Sequence, residues 1–498
     1  MTALQFFASA KTISKDYIIF LALIHNVSNM FRFLYTVPLF LFTINGFAQA
    51  QCDCPTNLDQ SIQQVELNYA GYPDKVTAKN KADYEEFKNQ LLHKAGSATS
   101  TKACYLLIKD YVNFFKDKHF RIEYYGKIDS TVVNYYKGDL DQKLMDADAL
   151  TGYYKNSDST HIAIIKSDDD TYKAIKVSAV KDTYPQGFVY FTLTPDGNNY
   201  KVKLYNRNIN IDIPAKVTGN FLKIWSLQLW VREDRELNRL ETEVFDSWTN
   251  GKQGLVFDKI NQEVSYLNIP TFENNDAQIQ EVVAHNDSII RSTPYLIVDL
   301  RGNGGGSSGW VSLIPYIATA KITQGENYVR ISPENLKKKL PDIAMFVENP
   351  IPEGYEKYFT EEKLDAYRKA YKELPETKET FYKTPSVDFP LDSITVNPRK
   401  VAVVFDEFGG SSTEYFFSLL KQSGKVKTYG RHTVGMMDYL GMSQPTDLPC
   451  EALKLYIPRE KSSWTDTAPI DATGFIPETI LEIPEEEWID FVIGDLKD

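Results

Sequence analysis

The segment Tyr295–Gly306, which reads YLIVDLRGNGGG, joins an apolar run to a cluster of glycines. A strand buried inside a parallel sheet is apolar along its whole length, so Tyr295 to Asp299 predicts such a strand. Glycines after a strand let the backbone turn sharply and leave N–H groups free to face a ligand or a developing negative charge. An ordinary strand-to-helix turn is the alternative, but a full DLRGNGGG behind a strand favours an anion site.

A second segment, residues 401–421, reads VAVVFDEFGGSSTEYFFSLLK. An apolar strand leads into a Gly-Gly-Ser-Ser turn, and the helix that follows has Glu414 in its first turn. A serine at a helix N-terminus meets free N–H groups and the positive end of the helix dipole, which favours a nucleophile beside an oxyanion site. Alternatively, Ser411 or Ser412 caps the helix, with Thr413 and Glu414 completing the cap. Spacing alone favours the cap.

Together the two segments resemble the signatures of the tail-specific (C-terminal-processing) and tricorn-core serine peptidases. In that family the nucleophile lies three residues before a glutamate, in a Ser-Ala-x-Glu-like turn that residues 411–414 (SSTE) match. The resemblance implies that Ser411 is the nucleophile and that the Ser412 amide binds the oxyanion. Gly304 or Gly305 would supply the other oxyanion amide. Ser412 is the alternative nucleophile.

The resemblance also bears on the general base. Ser–Lys members of the family carry a lysine after a Gly-x-x-Thr-x-Gly loop, which is GRHTVG at 430–435 here, but the next residue is Met436. A thioether takes no proton, so a Ser–Lys dyad at this position is excluded. Tricorn-like members use a histidine of an upstream Asp-x-His motif, which Asp117-Lys118-His119 matches. The resemblance therefore implies His119 as the base, with His432 as the alternative.

A carboxylate should support the histidine. The family places a glutamate shortly before a Gly-x-x-Pro-acid tail, and the matching segment DATGFIPE puts Asp471 in that position. A turn-capping role is the alternative for Asp471, whose side chain is one methylene shorter. The tricorn-like site also has a serine beside its histidine, where this chain has Lys118. Asp438 and Tyr439 could line the same cleft. The resemblance implies no metal and no organic cofactor.

The composition of the chain limits which classes of molecule the protein can bind as its main partner. The 498 residues are 43% hydrophobic and 24% charged, as in globular proteins, and the net charge is −12. An acidic chain without basic runs argues against nucleic acid or an anionic membrane as the main partner. We expect a peptide or protein substrate, whose backbone could pair with the strand Val264–Ile269 or with loop edges. The oligomeric state is not predicted.

The N-terminal segment predicts export. Arg32, a short apolar stretch and Ala48-Gln49-Ala50 follow the order of a signal peptide, with cleavage near Ala50. We expect a periplasmic or extracellular protein without stable membrane insertion after cleavage; a membrane anchor is the alternative. All four cysteines follow the cleavage point, and Cys52 or Cys54 should pair with Cys104. A metal site at the two close cysteines lacks neighbouring ligands.

Beyond residues 1–50, the pattern predicts three parts. Residues 51–125 form a helical region that ends in the Asp-x-His motif, and residues 126–220 form a small antiparallel β domain where many relatives carry a PDZ domain. Residues 221–498 alternate strands and helices, with a helical insertion at about 331–395. The fold class is α/β within an α+β multidomain chain. Its core is mostly parallel and, by resemblance, crotonase-like, with ligands at the carboxyl ends of the strands.

These expectations favour an exported serine peptidase that cleaves unstructured peptides or protein tails through Ser411 and His119. The alternative is a catalytically inactive member of the family that binds a peptide or an apolar ligand. Lys118 and Asp471, which depart from the family pattern, are the residues that raise this alternative.

Overall fold

The structure is a computed structural model, which describes residues 52–125, 132–135, 137–145, 148, 150–167, 169–181, 184–205, 213–351, 356–391 and 393–497. The predicted signal segment lies outside these residues. Within the ranges given, no helix is both long enough and apolar enough to cross a bilayer.

The N-terminal part consists of helices packed on one another and on the core. The helices are α1 (Cys54–Asn68), α2 (Tyr72–Lys75), α3 (Lys81–Ala95) and α4 (Thr101–Asn113). Asp53 and Ser100 cap α1 and α4 by accepting hydrogen bonds from backbone N–H groups. Strand β1 (Arg121–Tyr124) then pairs with a late strand of the chain, β21 (Leu453–Tyr456). This pairing holds the end of the helical region against the core.

Two disulfides fasten the same region. Cys54 bonds Cys104, which is one of the pairings that the sequence favours, and Cys52 bonds Cys450. The first bridge closes the helical region on itself. The second joins the start of that region to the C-terminal half of the chain.

A closed antiparallel barrel follows. Its strands, in chain order, are β2 (Gly152–Asn156), β3 (His161–Lys166), β4 (Tyr172–Ser178), β5 (Val189–Asp196), β6 (Asn199–Leu204), β7 (Ile213–Thr218), β8 (Phe221–Ile224) and β9 (Gln228–Arg232). Pairing of β2 with β9 closes the barrel, which leaves no free edge strand. The strands begin later and end later than the predicted 126–220 unit. Apolar side chains such as Phe191 and Trp230 fill a common core.

The central sheet carries the site. Its order is β10 (Val256–Lys259), β11 (Val264–Asn268), β12 (Tyr295–Asp299), β17 (Lys400–Phe405), β18 (Val426–Gly430) and β23 (Thr479–Ile480). All neighbours are parallel except β10 and β11. The predicted mostly parallel α/β core is therefore confirmed. Since β11 is paired on both sides, the expectation that it receives a substrate strand is wrong.

The remaining elements surround this sheet. The helices are α5 (Lys137–Met145), α6 (Arg239–Thr249), α7 (Asp276–His285), α8 (Asp287–Ser292), α9 (Ile314–Ile317), α10 (Pro333–Glu348), α11 (Glu361–Glu373), α12 (Ser412–Leu420) and α13 (Trp488–Lys497), with 3₁₀ turns at Gly309–Leu313 and Glu485–Glu487. The short strands are β13 (Ile322–Thr323), β14 (Asn327–Arg330), β15 (Phe381–Thr384), β16 (Asp388–Phe389), β19 (Tyr439–Leu440), β20 (Thr446–Asp447) and β22 (Glu460–Ser462). Helices α10 and α11 lie within the predicted helical insertion.

Candidate active site

The two glycine-containing segments leave neighbouring strands at the same edge of the sheet. Strand β12 pairs with β17 from Tyr295 opposite Lys400 to Asp299 opposite Val404, so their carboxyl ends lie side by side. Asn303 joins the two loops: its carbonyl accepts from the Gly410 amide at 3.2 Å, and its side chain accepts from the Thr413 hydroxyl at 2.9 Å. The register of two apolar strands thus brings the glycine run to the serine turn.

Gly305 makes the closest approach between these loops. A Cβ at this position would lie 2.6 Å from the Gly410 carbonyl oxygen and 2.8 Å from the Ser412 nitrogen, and its φ is +97°. Only glycine fits both constraints. The Gly305 N–H, however, already donates to the Asn303 side chain at 2.9 Å. Its predicted role as an oxyanion donor is therefore not supported, because the amide is engaged.

Two other amides beside the serine turn are free. In the described part of the chain, neither the Gly304 N–H nor the Ser412 N–H has a hydrogen-bond partner. The Ser412 amide belongs to the first residue of α12, where helix N–H groups are unpaired by geometry. These two are the predicted oxyanion donors that remain available.

Ser411 has an unusual backbone. Its φ of +52° and ψ of −117° lie outside the regions that a residue with a side chain adopts without strain. Such outliers concentrate at functional sites, where surrounding contacts hold them in place. Ser411 is partly exposed, whereas the Ser412 hydroxyl is buried between the Ser307 carbonyl at 2.5 Å and the Trp310 indole at 3.1 Å. Access therefore favours Ser411 over Ser412 as a nucleophile.

His119 lies directly against Ser411. Its Nε2 is 2.8 Å from the Ser411 Oγ, and its Nδ1 is 2.6 Å from the Tyr439 carbonyl oxygen. A carbonyl only accepts, so the proton of the neutral ring sits on Nδ1 and Nε2 accepts from the serine hydroxyl. Burial lowers the pKa of His119 to about 4, which keeps the imidazole neutral near pH 7.

Asp117 orients the backbone of this histidine. One carboxylate oxygen accepts from the His119 amide at 2.8 Å, and the other accepts from the Tyr69 hydroxyl at 2.8 Å. Burial and then the neighbouring Asp471 raise the pKa of Asp117 to about 7. The aspartate of the Asp-x-His motif thus holds the main chain of His119, since its oxygens bond to neither ring nitrogen.

Asp471 does not bond His119 either. Its carboxylate accepts from the Lys75 ammonium at 2.5 Å, and its amide donates to the Asp438 side chain at 2.9 Å. The other carboxylate oxygen is buried without a hydrogen-bond partner among the residues described. Burial raises the pKa of Asp471 to about 6, with Lys75 opposing that shift. Any support of the histidine by Asp471 is indirect, through the Asp117 and Lys75 cluster.

The alternative base, His432, stands apart from the serine. It is exposed, and its Nδ1 lies 3.0 Å from the Thr433 carbonyl oxygen. It lines a cleft of about 520 Å³ together with Lys118, Val434 and Trp225. Trp225 comes from the barrel and donates its indole N–H to the Phe408 carbonyl at 2.8 Å, just beside the glycine loop. The cleft therefore opens next to both halves of the site.

Sequence reasoning missed several contacts at this site. Lys75, which pairs with Asp471, lies in a short helix without any motif, and Trp225 lies in a barrel turn; neither position carries a local signal. Glu414 is part of the serine motif in the sequence, but its hydrogen-bond donors, Thr433 and Gly435, lie in a separate loop about twenty residues further along the chain. Met436, at the position of the absent lysine, packs its sulfur 2.8 Å from where a Cβ on Gly410 would lie.

A serine hydroxyl bonded to a neutral imidazole, beside free amides at the carboxyl edge of a parallel sheet, is the arrangement of a serine hydrolase. Residues 263–478, which contain both loops, match the model of peptidase family S41. The match assigns residues 263–478 to this family and supports a serine peptidase, a class of enzyme that acts on peptide or protein substrates.

Solved structures with a similar fold are consistent with the family match. Mature CPAF is similar over 89% of this chain and 97% of its own, with 12% identity and a TM-score of 0.52. Mature CPAF complexed with lactacystin is similar over 89% of this chain and 98% of its own, with 11% identity and a TM-score of 0.52. Likeness at this identity establishes the fold alone. No curated protein sequence matches the chain.

Proposed function

We propose that this peptidase cleaves its substrates by a Ser–His mechanism in which Ser411 is the nucleophile and His119 is the base. The observation that carries the proposal is the 2.8 Å contact between the His119 Nε2 and the Ser411 Oγ. Tyr439 adds to it, because its carbonyl holds the ring proton on Nδ1 and leaves Nε2 free to accept.

The chemistry follows from these positions. The Ser411 oxygen attacks the substrate carbonyl as its proton passes to His119, and the oxyanion receives hydrogen bonds from the Gly304 and Ser412 amides. The imidazolium then gives its proton to the leaving amine, and the acyl-enzyme forms. Water, deprotonated by the same imidazole, releases the acyl group. A buried imidazolium is costly, but the nearby oxyanion offsets its charge.

The finer assignments concern substrate and compartment. The cleft beside Lys118 and Trp225 is open, which suits an extended backbone and supports endopeptidase cleavage of unstructured peptides or protein tails. The two disulfides support export to an oxidising compartment, periplasmic or extracellular. In this function Asp117 and Asp471 act as supporting carboxylates without direct contact to the imidazole ring.

A fluorophosphonate probe tests the mechanism, because it labels an activated serine covalently. We expect labelling of the protein to vanish in Ser411→Ala and to slow by about a hundredfold or more in His119→Ala. His432→Ala, which removes the alternative base, should label at nearly the original rate. Labelling that persists in Ser411→Ala contradicts the proposed nucleophile. A protein that never labels yet copurifies with a peptide or apolar ligand is instead the inactive binding module.

A further inference from the structure

Glu414 collects hydrogen bonds from the loop that follows strand β18. It is fully buried and accepts from the Thr433 hydroxyl at 2.6 Å, the Gly435 amide at 2.6 Å and the Met436 amide at 2.9 Å. The Ser411 amide donates to the same carboxylate at 3.3 Å. Because Glu414 lies in the first turn of α12, these bonds tie the loop to the nucleophile turn.

Lys118 holds the same loop from the other side. Its ammonium donates to the Val434 carbonyl, to the Gly435 carbonyl at 3.1 Å and to the Asp471 carbonyl at 3.4 Å. Lys118 directly precedes His119, so these bonds tie the loop to the base. Residues 433–436 therefore lie between two groups: the Glu414 carboxylate accepts from the Gly435 and Met436 N–H groups, and the Lys118 ammonium donates to the Val434 and Gly435 carbonyls.

We propose that Lys118 and Glu414 are paired positioning residues, which clamp residues 433–436 and thereby fix the distance between the His119 ring and the Ser411 hydroxyl. The inference rests on the proposed Ser–His function and deepens it. Lys118 is the residue that departs from the family pattern beside the histidine. The contacts of Lys118 explain this difference from the family pattern, because the lysine connects the proposed base to the nucleophile turn through one shared loop.

Charge couples the two ends of the clamp. Burial raises the pKa of Glu414, while Lys118 opposes that rise across the loop. A carboxylate accepts all four hydrogen bonds, whereas a protonated acid carries a proton where one donor points. Removing the Lys118 charge should therefore raise the pKa of Glu414 further and release the loop as pH falls. The other charged groups near Lys118 are Asp117, Asp471 and Lys75.

Kinetics of two Lys118 variants test the clamp. Lys118→Met keeps the unbranched stem of the side chain and removes the ammonium group with its charge and donors. We expect kcat to fall roughly tenfold or more with KM nearly unchanged, because geometry and not affinity is lost. The acid limb of its kcat profile should move to higher pH. Lys118→Arg keeps charge and donors and should restore most of kcat. Asp117 and Asp471 also lie near Lys118, so loss of its charge raises their pKa as well; Lys118→Arg, which keeps the charge, is therefore the reference for the acid limb.

Amide hydrogen exchange provides a readout that does not need activity. In the full chain, the Gly435 and Met436 amides should exchange faster in Lys118→Met and in Glu414→Gln than in the original protein. Lys94→Met, at an exposed lysine of α3, should leave them unchanged. Faster exchange in a protein that hydrolyses nothing supports the clamp and rejects the proposed function. Unchanged exchange and unchanged kcat in Lys118→Met overturn the clamp, whatever the activity of the original protein.

Discussion

At the residue scale, Ser411 and His119 show how neighbours prepare ordinary side chains for chemistry. The φ of +52° at Ser411 costs of order 1–3 kcal/mol, and the contacts of the surrounding loops hold the residue in that conformation. The Tyr439 carbonyl selects one tautomer of His119, and burial keeps the ring neutral. Both effects come from the backbone or from desolvation rather than from an ion pair.

The low pKa of His119 predicts an acid limb displaced from that of an exposed histidine. Only the neutral ring accepts a proton, so kcat/KM should remain high as pH falls through 6.5 and decline toward a midpoint nearer to 4. The measurement is kcat/KM of an uncharged peptide across this range. A midpoint at the ordinary histidine value would contradict the prediction.

A control variant distinguishes the titration of the neighbouring Asp117 carboxyl group from that of His119. Asp117, whose pKa is raised to about 7, titrates within the same range. Asp117→Asn removes that titration while its side-chain oxygen still accepts a hydrogen bond. An acid limb near 7 that disappears in this variant belongs to Asp117, a limb that remains near 6 belongs to Asp471, and a limb nearer to 4 belongs to His119.

At the scale of elements, the site depends on loops that follow adjacent strands. Strands β12 and β17 fix the starting points of the two loops, and Asn303 and Gly305 bring the loops into contact. Helix α12 then presents its free N-terminal amide beside Ser411. Close backbone packing, more than side-chain chemistry, forms the proposed oxyanion side of the site.

Substituting Gly305 should disrupt this packing. In Gly305→Ala the new methyl group would clash with the Gly410 carbonyl at 2.6 Å and would require a strained φ of +97°. We expect fluorophosphonate labelling to fall by about a hundredfold or more, because the serine turn must shift. Gly197→Ala is the matched control, since Gly197 also has a positive φ, +62°, but open space around it. The control should cost about 1 kcal/mol of stability and leave labelling intact; equal loss in both variants would contradict the packing argument.

At the scale of the whole molecule, three parts of the chain meet at the candidate site. The helical region supplies His119, the central sheet supplies Ser411, and the barrel supplies Trp225. His119 and Ser411 are therefore only as well aligned as the helical region is docked on the core. The disulfide between Cys52 and Cys450 spans that junction, across a sequence separation of 398.

Removing that bridge should affect activity as well as stability. We expect the Cys52→Ser/Cys450→Ser double variant to lose about 2–4 kcal/mol of unfolding free energy and also to lose kcat, because the part that carries His119 is less firmly held. Cys54→Ser/Cys104→Ser, which opens a bridge within the helical region, is the comparison. For both double variants, denaturant unfolding measures the loss of unfolding free energy and peptide hydrolysis measures the loss of kcat. A larger loss of kcat in the comparison variant would oppose the docking argument.

Much of the candidate site was accessible from the sequence because its signals are local. An apolar strand followed by glycines, and a strand followed by a serine turn and a helix, each lie within about twenty residues. The choice of His119 needed the family resemblance, since a single histidine after a helix carries no signal of its own. The engaged Gly305 amide and the pairing of Asp471 with Lys75 could not be predicted, because they depend on how loops approach one another.

The sequence by itself therefore determined the parallel core, the serine turn and the residue types that could act. Tertiary structure alone decided which groups meet. His119 and Ser411 are 292 positions apart, and the hydrogen bond between them requires the helical region to dock on the sheet. The same docking directs the Lys118 ammonium onto the loop that Glu414 holds. Hydrogen bonds act over a few ångströms. The local sequence pattern therefore predicts which residues can donate or accept, whereas the packing of distant segments determines which donor meets which acceptor.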